Sequence, residues 1–474
     1  MSTGPDADLT RETACTLRDL IASGEVGPVE VLDAHLDAIE RRNPGLNAIV
    51  TLATEAAREA AQSAEAVVQA GKPLGPLHGL PVVIKDVTPT AGIRTTYGCT
   101  VYADHIPGED ATVVAQLRTA GAIILGKSNT PEFAAGANTD NEVFGATRNP
   151  WNTDRSPAGS SGGSAAAVSS GMVPLAHGTD FGGSLRVPAA FCGIVGLRTT
   201  PGLVPNHPMP LPFDPGQVHG PLARTAEDAA LMLDGMAGFS PMSPISVAPP
   251  WQSCLTELRA RENPAGLRIA YAPEIAGIGI DPEVAAVCEA AVDELRRTGA
   301  TVDEISLDLS VGREAFKVLR GEWMVGQQLE RLEHIEQFGA NLAGNIRQGL
   351  ELDVRATAAA EQIRAQVWHS VRDCLTRHDV ILTPTAPVLP FQVGQNYPEK
   401  IGGVRLENYI DWVAQAFLIT LTGFPAASAP AGLSDSRLPV GLQIIGPRLG
   451  EPTILAVAKL LQQVRPVGWP PAAI

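Results

Sequence analysis

Ser156-Pro-Ala-Gly-Ser160-Ser161-Gly-Gly-Ser164-Ala-Ala-Ala-Val168, followed by Pro174-Leu-Ala-His-Gly178-Thr-Asp180-Phe-Gly-Gly-Ser184-Leu-Arg186, is the stretch on which the reading of this chain turns. An isolated Gly/Ser run is a flexible linker. This one leads into a small-residue helix, Ala165 to Ser170, stopped by Gly171, then an apolar strand, then a second Gly-Gly-Ser. A linker has no reason to do that. Two glycine-serine turns on either side of a short helix and strand bring two hydroxyls and several unencumbered backbone N–H groups near one point. Acyl transfer needs that set: a nucleophile, and donors aimed at a developing oxyanion. Gly182 and Gly183 tolerate positive φ and let successive N–H groups turn inward.

Outward from this stretch, strands and helices alternate. Upstream, residues 9 to 70 carry apolar positions at three and four spacing (Leu17, Leu20, Ile21; Val31, Leu32, Leu36, Ile39) and predict a helical layer. Leu80 to Ile84 is a short apolar run between Gly79-Leu80-Pro81 and Lys85-Asp86, hence a buried strand, and Ala122 to Leu125 is another after a helix over 110–120. Downstream, residues 199 to 220 are proline-rich and predict a loop. Leu267 to Tyr271, a helix near Val284 to Arg297, and Ala300 to Leu307 form a strand-helix-strand unit; 312 to 376 is helical, and Val380 to Leu382 and Gly441 to Ile445 are late strands. The alternation predicts an α/β protein: one large domain over 1–474 with a central mixed sheet flanked by helices. Within it we expect a helical N-terminal layer over 1–75, a catalytic core over 76–200, and the rest of the sheet with pocket-lining loops and helices over 201–474.

Charge narrows the function. The net charge of −16 argues against a nucleic-acid surface and against an anionic membrane face, and a small neutral substrate fits better. The six cysteines are scattered without a Cys-x-x-Cys pair and predict a reducing, cytoplasmic location. Met1 to Leu20 lacks an apolar targeting core, and no run of 18 or more apolar residues is present to span a membrane. The nine histidines show no ligand spacing, so neither metal nor other cofactor is expected.

The motifs resemble those of the amidase signature family. The resemblance rests on the Gly-Ser-Ser-Gly-Gly-Ser run, the Gly-Thr-Asp-x-Gly-Gly-Ser block and Pro188-Ala-Ala-Phe-Cys-Gly-Ile-Val-Gly196. It extends from Gly79-Leu-Pro-Val-Val-Ile-Lys85-Asp86 and Gly126-Lys-Ser-Asn129 to Gly423-Phe-Pro425-Ala-Ala-Ser428 and Leu438 to Gly446, nearly the whole chain. It implies a single amidase-signature domain and a Ser-Ser-Lys serine amidohydrolase. Ser184 would be the nucleophile, Ser160 the proton relay in a cis peptide, and Lys85 the base. The N–H groups of Phe181, Gly182, Gly183 and Ser184 would form the oxyanion hole. Ala158 stands where a glycine is usual, and Phe181 where a smaller or polar residue is common. The physics agrees: a lysine is a base only when neutral, burial lowers its pKa, and Lys85 ends an apolar strand. Asp180 and Arg186 are expected to pair and brace the nucleophile loop, with Ser161 and Thr179 in supporting hydrogen bonds.

Other readings are weaker. Gly121-Ala-Ile-Ile-Leu-Gly126-Lys127-Ser128 matches a phosphate-binding loop formally, but its middle is a strand and Asn129-Thr-Pro131 breaks the required helix. Gly159-Ser-Ser161-Gly-Gly163 fits a Gly-x-Ser-x-Gly nucleophile elbow with His369 or His378 as partner, but no strand precedes it. A family member with a dead site, serving as a binding protein, would lack the three catalytic residues present here. The role of an amidotransferase component for misacylated tRNA is disfavoured by the acidic charge and by the helical pattern of 312–376. The substrate is expected to be a neutral aryl or alkyl amide, or a carbamate, urethane or ester. Its pocket would be formed by Phe133, Gly136, Asn138 and Phe181, rimmed by Val204 to Phe213 and Tyr409 to Phe417. Oligomeric state, including a homodimer, stays open.

Overall fold

Short runs of β-branched and small apolar residues, buried along their length, build the sheet. The computed structural model describes residues 8–261, 266–406 and 408–473. The first seven residues of the Met1 to Leu20 stretch lie outside it. In chain order the strands are β1 (Ile49–Leu52), β2 (Pro81–Lys85), β3 (Ile123–Ser128), β4 (Leu175–Asp180), β5 (Val195–Arg198), β6 (Val218–Ala223), β7 (Arg268–Tyr271), β8 (Thr301–Glu304) and β9 (Val380–Pro384). A two-stranded hairpin, β10 (Lys400–Ile401) and β11 (Val404–Arg405), stands apart, and β12 (Ala426–Leu433) and β13 (Pro439–Ile445) complete the set. One eleven-stranded sheet runs β1-β3-β2-β4-β6-β5-β12-β13-β9-β7-β8. It is mixed, with β2 parallel to β3 and β4, β7 parallel to β8 and β9, and the other pairs antiparallel.

Helices cover both faces. They are α1 (Ala14–Ser23), α2 (Pro28–Leu46), α3 (Thr54–Gln69), α4 (Thr112–Thr119), α5 (Gly162–Ser169), α6 (Arg186–Cys192), α7 (Ala226–Met236), α8 (Cys254–Arg259) and α9 (Pro282–Arg297). Then come α10 (Gly312–Gln328), α11 (Ala340–Leu350), α12 (Val354–Leu375), α13 (Ala414–Thr422) and α14 (Glu451–Val464). Side chains alternate across a strand, and β2 shows the consequence. Val82 and Ile84 belong to the same core layer as Leu17 of α1, Leu117 of α4 and Leu233 of α7, whereas Val83 belongs to the layer that holds Leu32 of α2 and Val168 of α5. Lys85 falls on the Val83 face by the same period of two, toward α5. Among the described residues no helix is long and apolar enough to cross a membrane.

The predicted α/β architecture with a mixed sheet is observed, and the local differences have causes. The N-terminal layer is not wholly helical, because Ile49-Val-Thr-Leu52 pairs with β3 as an edge strand. The proline-rich loop ends earlier than expected, since Val218 to Gly220 already belong to β6, wedged between β4 and β5. Ala426–Leu433, too alanine-rich to show a β-branched signature, is a full strand between β5 and β13.

The β6 strand runs unusually close to its neighbour: a Cβ on Gly220 would sit 2.0 Å from the Leu197 carbonyl oxygen. Gly220→Ala should therefore cost about 1–3 kcal/mol by overpacking. A lower midpoint in urea unfolding is the expected result, and a midpoint equal to that of the parent would contradict this close approach.

Candidate active site

The base of the site is the end of β2. Lys85 is fully buried, and its Nζ lies 2.6 Å from Ser160 Oγ, 2.9 Å from Ser161 Oγ and 3.0 Å from Thr179 Oγ1. Ser160 and Ser161 immediately precede α5, Thr179 is on β4, and the Gly159–Ser160 peptide is cis, as the family resemblance implies. Burial pushes Lys85 down to about 7 from an ordinary 10.5, with the charge of Asp180 opposing that fall. A charged ammonium there costs on the order of 5 kcal/mol relative to water. The neutral amine is thus accessible near neutral pH.

The contacts accommodate a neutral amine. A neutral amine has two N–H donors and one lone pair. The Ser161 hydroxyl donates to the Thr179 carbonyl oxygen at 3.2 Å, so its oxygen is left to accept from Lys85. With Ser161 and Thr179 as acceptors, the lone pair faces the Ser160 hydroxyl. Ser160 is buried, whereas Ser184 is half-buried, and both face one cavity. The Ser161 N–H also donates to the Ser184 carbonyl oxygen at 3.2 Å, tying the two glycine-serine turns together.

The Ser184 turn is shaped by Asp180. Its carboxylate accepts from the N–H groups of Gly183 (3.0 Å) and Leu185 (3.1 Å), and is gripped by Arg186 through Nε (3.0 Å) and a terminal nitrogen (2.9 Å). Arg198 adds a contact at 3.2 Å. All three side chains are fully buried. Burial alone would raise the Asp180 carboxyl, but the two guanidiniums and the Gly183 N–H hold it well below the usual carboxylate range. Gly183 adopts φ +108°, which the turn requires and which side chains rarely adopt. This pairing corrects one expectation. The Gly183 N–H points at Asp180 rather than at the cavity, which leaves Phe181, Gly182 and Ser184 as N–H groups with no acceptor among the described residues.

The cavity at Ser184 is about 40 Å³ and is walled by Phe133, Gly136, Phe181, Phe316, Trp323 and Ile410, with Arg320 and Tyr409 also facing it. Phe181 stacks on Trp323 with ring centroids 4.2 Å apart. On the far side of that pair is an apolar cavity of about 570 Å³ bordered by Leu211, Phe213 and Leu319, and another of about 360 Å³ lies toward His207 and Met209. Thus Val204 to Phe213 borders the flanking cavities and not the central one. Asn138 is a second correction. It is buried behind the wall, where its Oδ1 accepts from Ser156 Oγ (2.5 Å) and its Nδ2 donates to the Val393 carbonyl oxygen (2.9 Å). It pins the segment before Ser160 and does not line the central cavity.

Sequence reasoning missed Arg198, Arg320, Trp323 and Met324. The last three, with Phe316, recur at three and four spacing along α10, so the signal was present as one face of a long helix, although nothing marked that face as a pocket wall. The rival readings lose their geometry. His378 pairs with Asp303 at the β8 edge of the sheet (3.1 Å), and Lys127 donates to Thr88 and Thr90 from within β3.

The family model described as Amidase matches residues 30–455. An acylamidase of Rhodococcus erythropolis is 35% identical over 453 residues, covering 94% of each chain. A glutamyl-tRNA(Gln) amidotransferase subunit of Methylococcus capsulatus is 36% identical over 482 residues, covering 96% of this chain and 97% of its own. Among solved structures, a bacterial aryl acylamidase of the amidase signature family superposes with a TM-score of 0.88 at 29% identity, covering 98% of this chain and 97% of its own. The corresponding glutamyl-tRNA(Gln) amidotransferase subunit of Thermotoga maritima gives 0.77 at 28% identity, covering 97% and 96%.

Two outcomes follow from the geometry. Asp180→Asn leaves two buried guanidiniums without their anion and should cost about 3–5 kcal/mol; thermal unfolding checks this, and an unchanged Tm would refute the bracing role. Lys85 sets the pH response. Its folded value of about 7 lies below the unfolded 10.5, so between those limits the unfolded chain binds more protons and stability rises with pH. Catalysis that uses the neutral amine should show kcat/KM rising through about pH 7, and a limb that falls there would count against Lys85 as base.

Proposed function

The chain belongs to the amidase family, and on that premise we propose that it is a stand-alone hydrolase of small amides working through a seryl acyl-enzyme. Neutral Lys85 takes the Ser160 proton as Ser160 takes that of Ser184. Ser184 Oγ then attacks the amide carbonyl. The resulting oxyanion meets the N–H groups of Phe181, Gly182 and Ser184, the sort of fixed donor set that supplies much of the acceleration in acyl transfer. As the C–N bond breaks, Ser160 passes its proton to the leaving amine and the Lys85 ammonium returns one to Ser160. Water releases the acid from Ser184 with the same groups in reverse. The observation that carries this reading is Lys85 itself: a buried amine with three hydroxyl neighbours, whose pKa burial has brought down to about 7.

The aromatic wall of Phe133, Phe181, Phe316 and Trp323 favours an apolar aryl or alkyl group beside a neutral scissile bond, since burying a charge among such rings is costly. Carbamates and esters of similar shape enter the same chemistry, because an alkoxide can leave in place of an amine. Identity does not separate acylamidases from amidotransferase subunits, but the superposition favours the former, and the net charge of −16 is a poor match for tRNA. The six cysteines, all unpaired and buried, fit the reducing cytoplasmic location inferred for it.

The test is hydrolysis of an anilide by the purified chain alone, with fluorophosphonate labelling of Ser184. Ser184→Ala should abolish both, and Lys85→Ala should lower turnover by orders of magnitude, because the three groups act as one unit. No turnover without a partner protein would favour the amidotransferase reading. Trp323→Ala should join the central cavity to the 570 Å³ one and raise kcat/KM for bulky anilides relative to acetanilide; an unchanged ratio would show that the Phe181–Trp323 pair does not limit substrate size.

A further inference from the structure

One group in the wall is out of keeping with an apolar pocket. Arg320 projects from α10, is only 7% exposed, and faces the cavity that Ser160 and Ser184 share. Its Nε donates to Asn345 Oδ1 (3.3 Å) and one terminal nitrogen donates to the Tyr409 hydroxyl (3.0 Å). Both partners are neutral, and among the described residues Arg320 forms no ion pair. Its Nη1 has no acceptor there either.

The surrounding hydrogen bonds turn this cluster into a donor surface. Asn345 Nδ2 donates to the Tyr409 hydroxyl (2.6 Å) and to the Asn341 carbonyl oxygen (2.5 Å). The Tyr409 oxygen thus accepts from both Arg320 and Asn345, and both its lone pairs are used. Its own proton remains to be given away. The unused capacity of the cluster is therefore three guanidinium N–H bonds, two on Nη1 and one on the other terminal nitrogen, and one O–H, with a positive charge and no anion among the described residues. Burying a guanidinium without an anion is costly, and its planar fork fits a carboxylate.

We propose that Arg320, Tyr409 and Asn345 form a carboxylate-binding subsite, so that the preferred substrate is an amide that is neutral and apolar at the scissile bond and carries a carboxylate at its other end. The proposal rests on the amide-hydrolase reading above and changes the expectation of an uncharged substrate. Arg320 supplies the charge and Tyr409 the second donor. Asn345 holds both in place.

The experiment compares matched anilides. Pentananilide is the neutral reference. The monoanilide of glutaric acid puts a carboxylate on the acyl half, and N-pentanoyl-4-aminobenzoate puts one on the amine half. For the wild-type enzyme, kcat/KM for one of the two acids should exceed that of the reference at least tenfold. In Arg320→Gln that ratio should fall to near one, chiefly through KM, while Arg320→Lys should keep part of it. Should Arg320→Gln fail to fold, Tyr409→Phe, which removes the second donor together with the oxygen that accepts from Arg320 and Asn345, should lower the ratio severalfold. The proposal is overturned if wild type prefers the neutral anilide or neither acid, or if the ratio survives in Arg320→Gln. Calorimetric binding of the same compounds to Ser184→Ala, with and without Arg320→Gln, separates the two readings: failure of turnover alone counts against hydrolysis, whereas equal affinity for acid and neutral compound counts against the subsite.

Discussion

Asp180 and the two guanidiniums that enclose it are the constraint on which the site depends. The carboxylate stands at the end of β4, Arg186 begins α6, and Arg198 ends β5. Arg186 reaches further, donating to the Ala416 carbonyl oxygen (2.7 Å), Gln443 Oε1 (2.5 Å) and Thr420 Oγ1 (3.0 Å), so the same cluster also anchors α13 and β13. Five elements meet at one buried charge. Such clusters give little net stability, because desolvation offsets the attraction. The strain is visible in Arg198, whose Nε and one terminal nitrogen have no partner among the described residues and whose pKa burial pushes down to about 10. The gain is geometry: by taking the N–H groups of Gly183 and Leu185, Asp180 decides which N–H groups of the turn remain for an oxyanion.

Two neighbouring lysines show why burial alone does not make a base. In the parallel pairing of β2 and β3, Lys85 is level with Ser128 and Ile84 with Lys127, so the lysines project from opposite faces of the sheet. Both are fully buried, and burial lowers both. Lys127 is lowered as far as Lys85, to about 7, with the charge of Asp86 opposing the fall, and it donates to the Thr88 carbonyl and to the single hydroxyl of Thr90. Its strand face also turns it away from both serine turns. Lys85 meets hydroxyls, which can donate as well as accept, so its neutral form keeps a full set of partners. Strand register, set by the alternation of Val82, Val83 and Ile84, chooses which lysine faces the serines.

The catalytic part of the site was legible because it is local. Ser160, Ser161, Thr179, Asp180, Ser184 and Arg186 lie in one continuous stretch, from the turn before α5 through β4 to the start of α6, and its two glycine-serine turns stand out in the sequence. Lys85 was legible through the apolar run before it. Asn138 was misjudged because an asparagine at a pocket rim and one that pins a loop look alike in sequence; only the bonds to Ser156 and Val393 tell them apart. The β1 strand was hidden by the helical periodicity on either side, and β12 by its alanines, which pack well between neighbours that leave little room.

The central cavity was legible only in part: Phe133, Gly136, Phe181 and the stretch from Tyr409 were read as its lining, whereas the α10 face was not. Its walls come from Phe133 to Ala137, Gln217, the Phe316 to Met324 face of α10 and Tyr409 to Val413. These segments are far apart in the chain, and each is an ordinary amphipathic helix or loop until the fold brings them together. They also lie outside the strands and turns that carry the chemistry. A change of side chain on α10 can therefore alter what enters without disturbing Lys85 or the Asp180 cluster. On the proposal that Arg320 and Trp323 choose the substrate, chains as similar overall to this one as the acylamidase and the amidotransferase subunit can differ in what they admit, since full-length identity says nothing about those few positions.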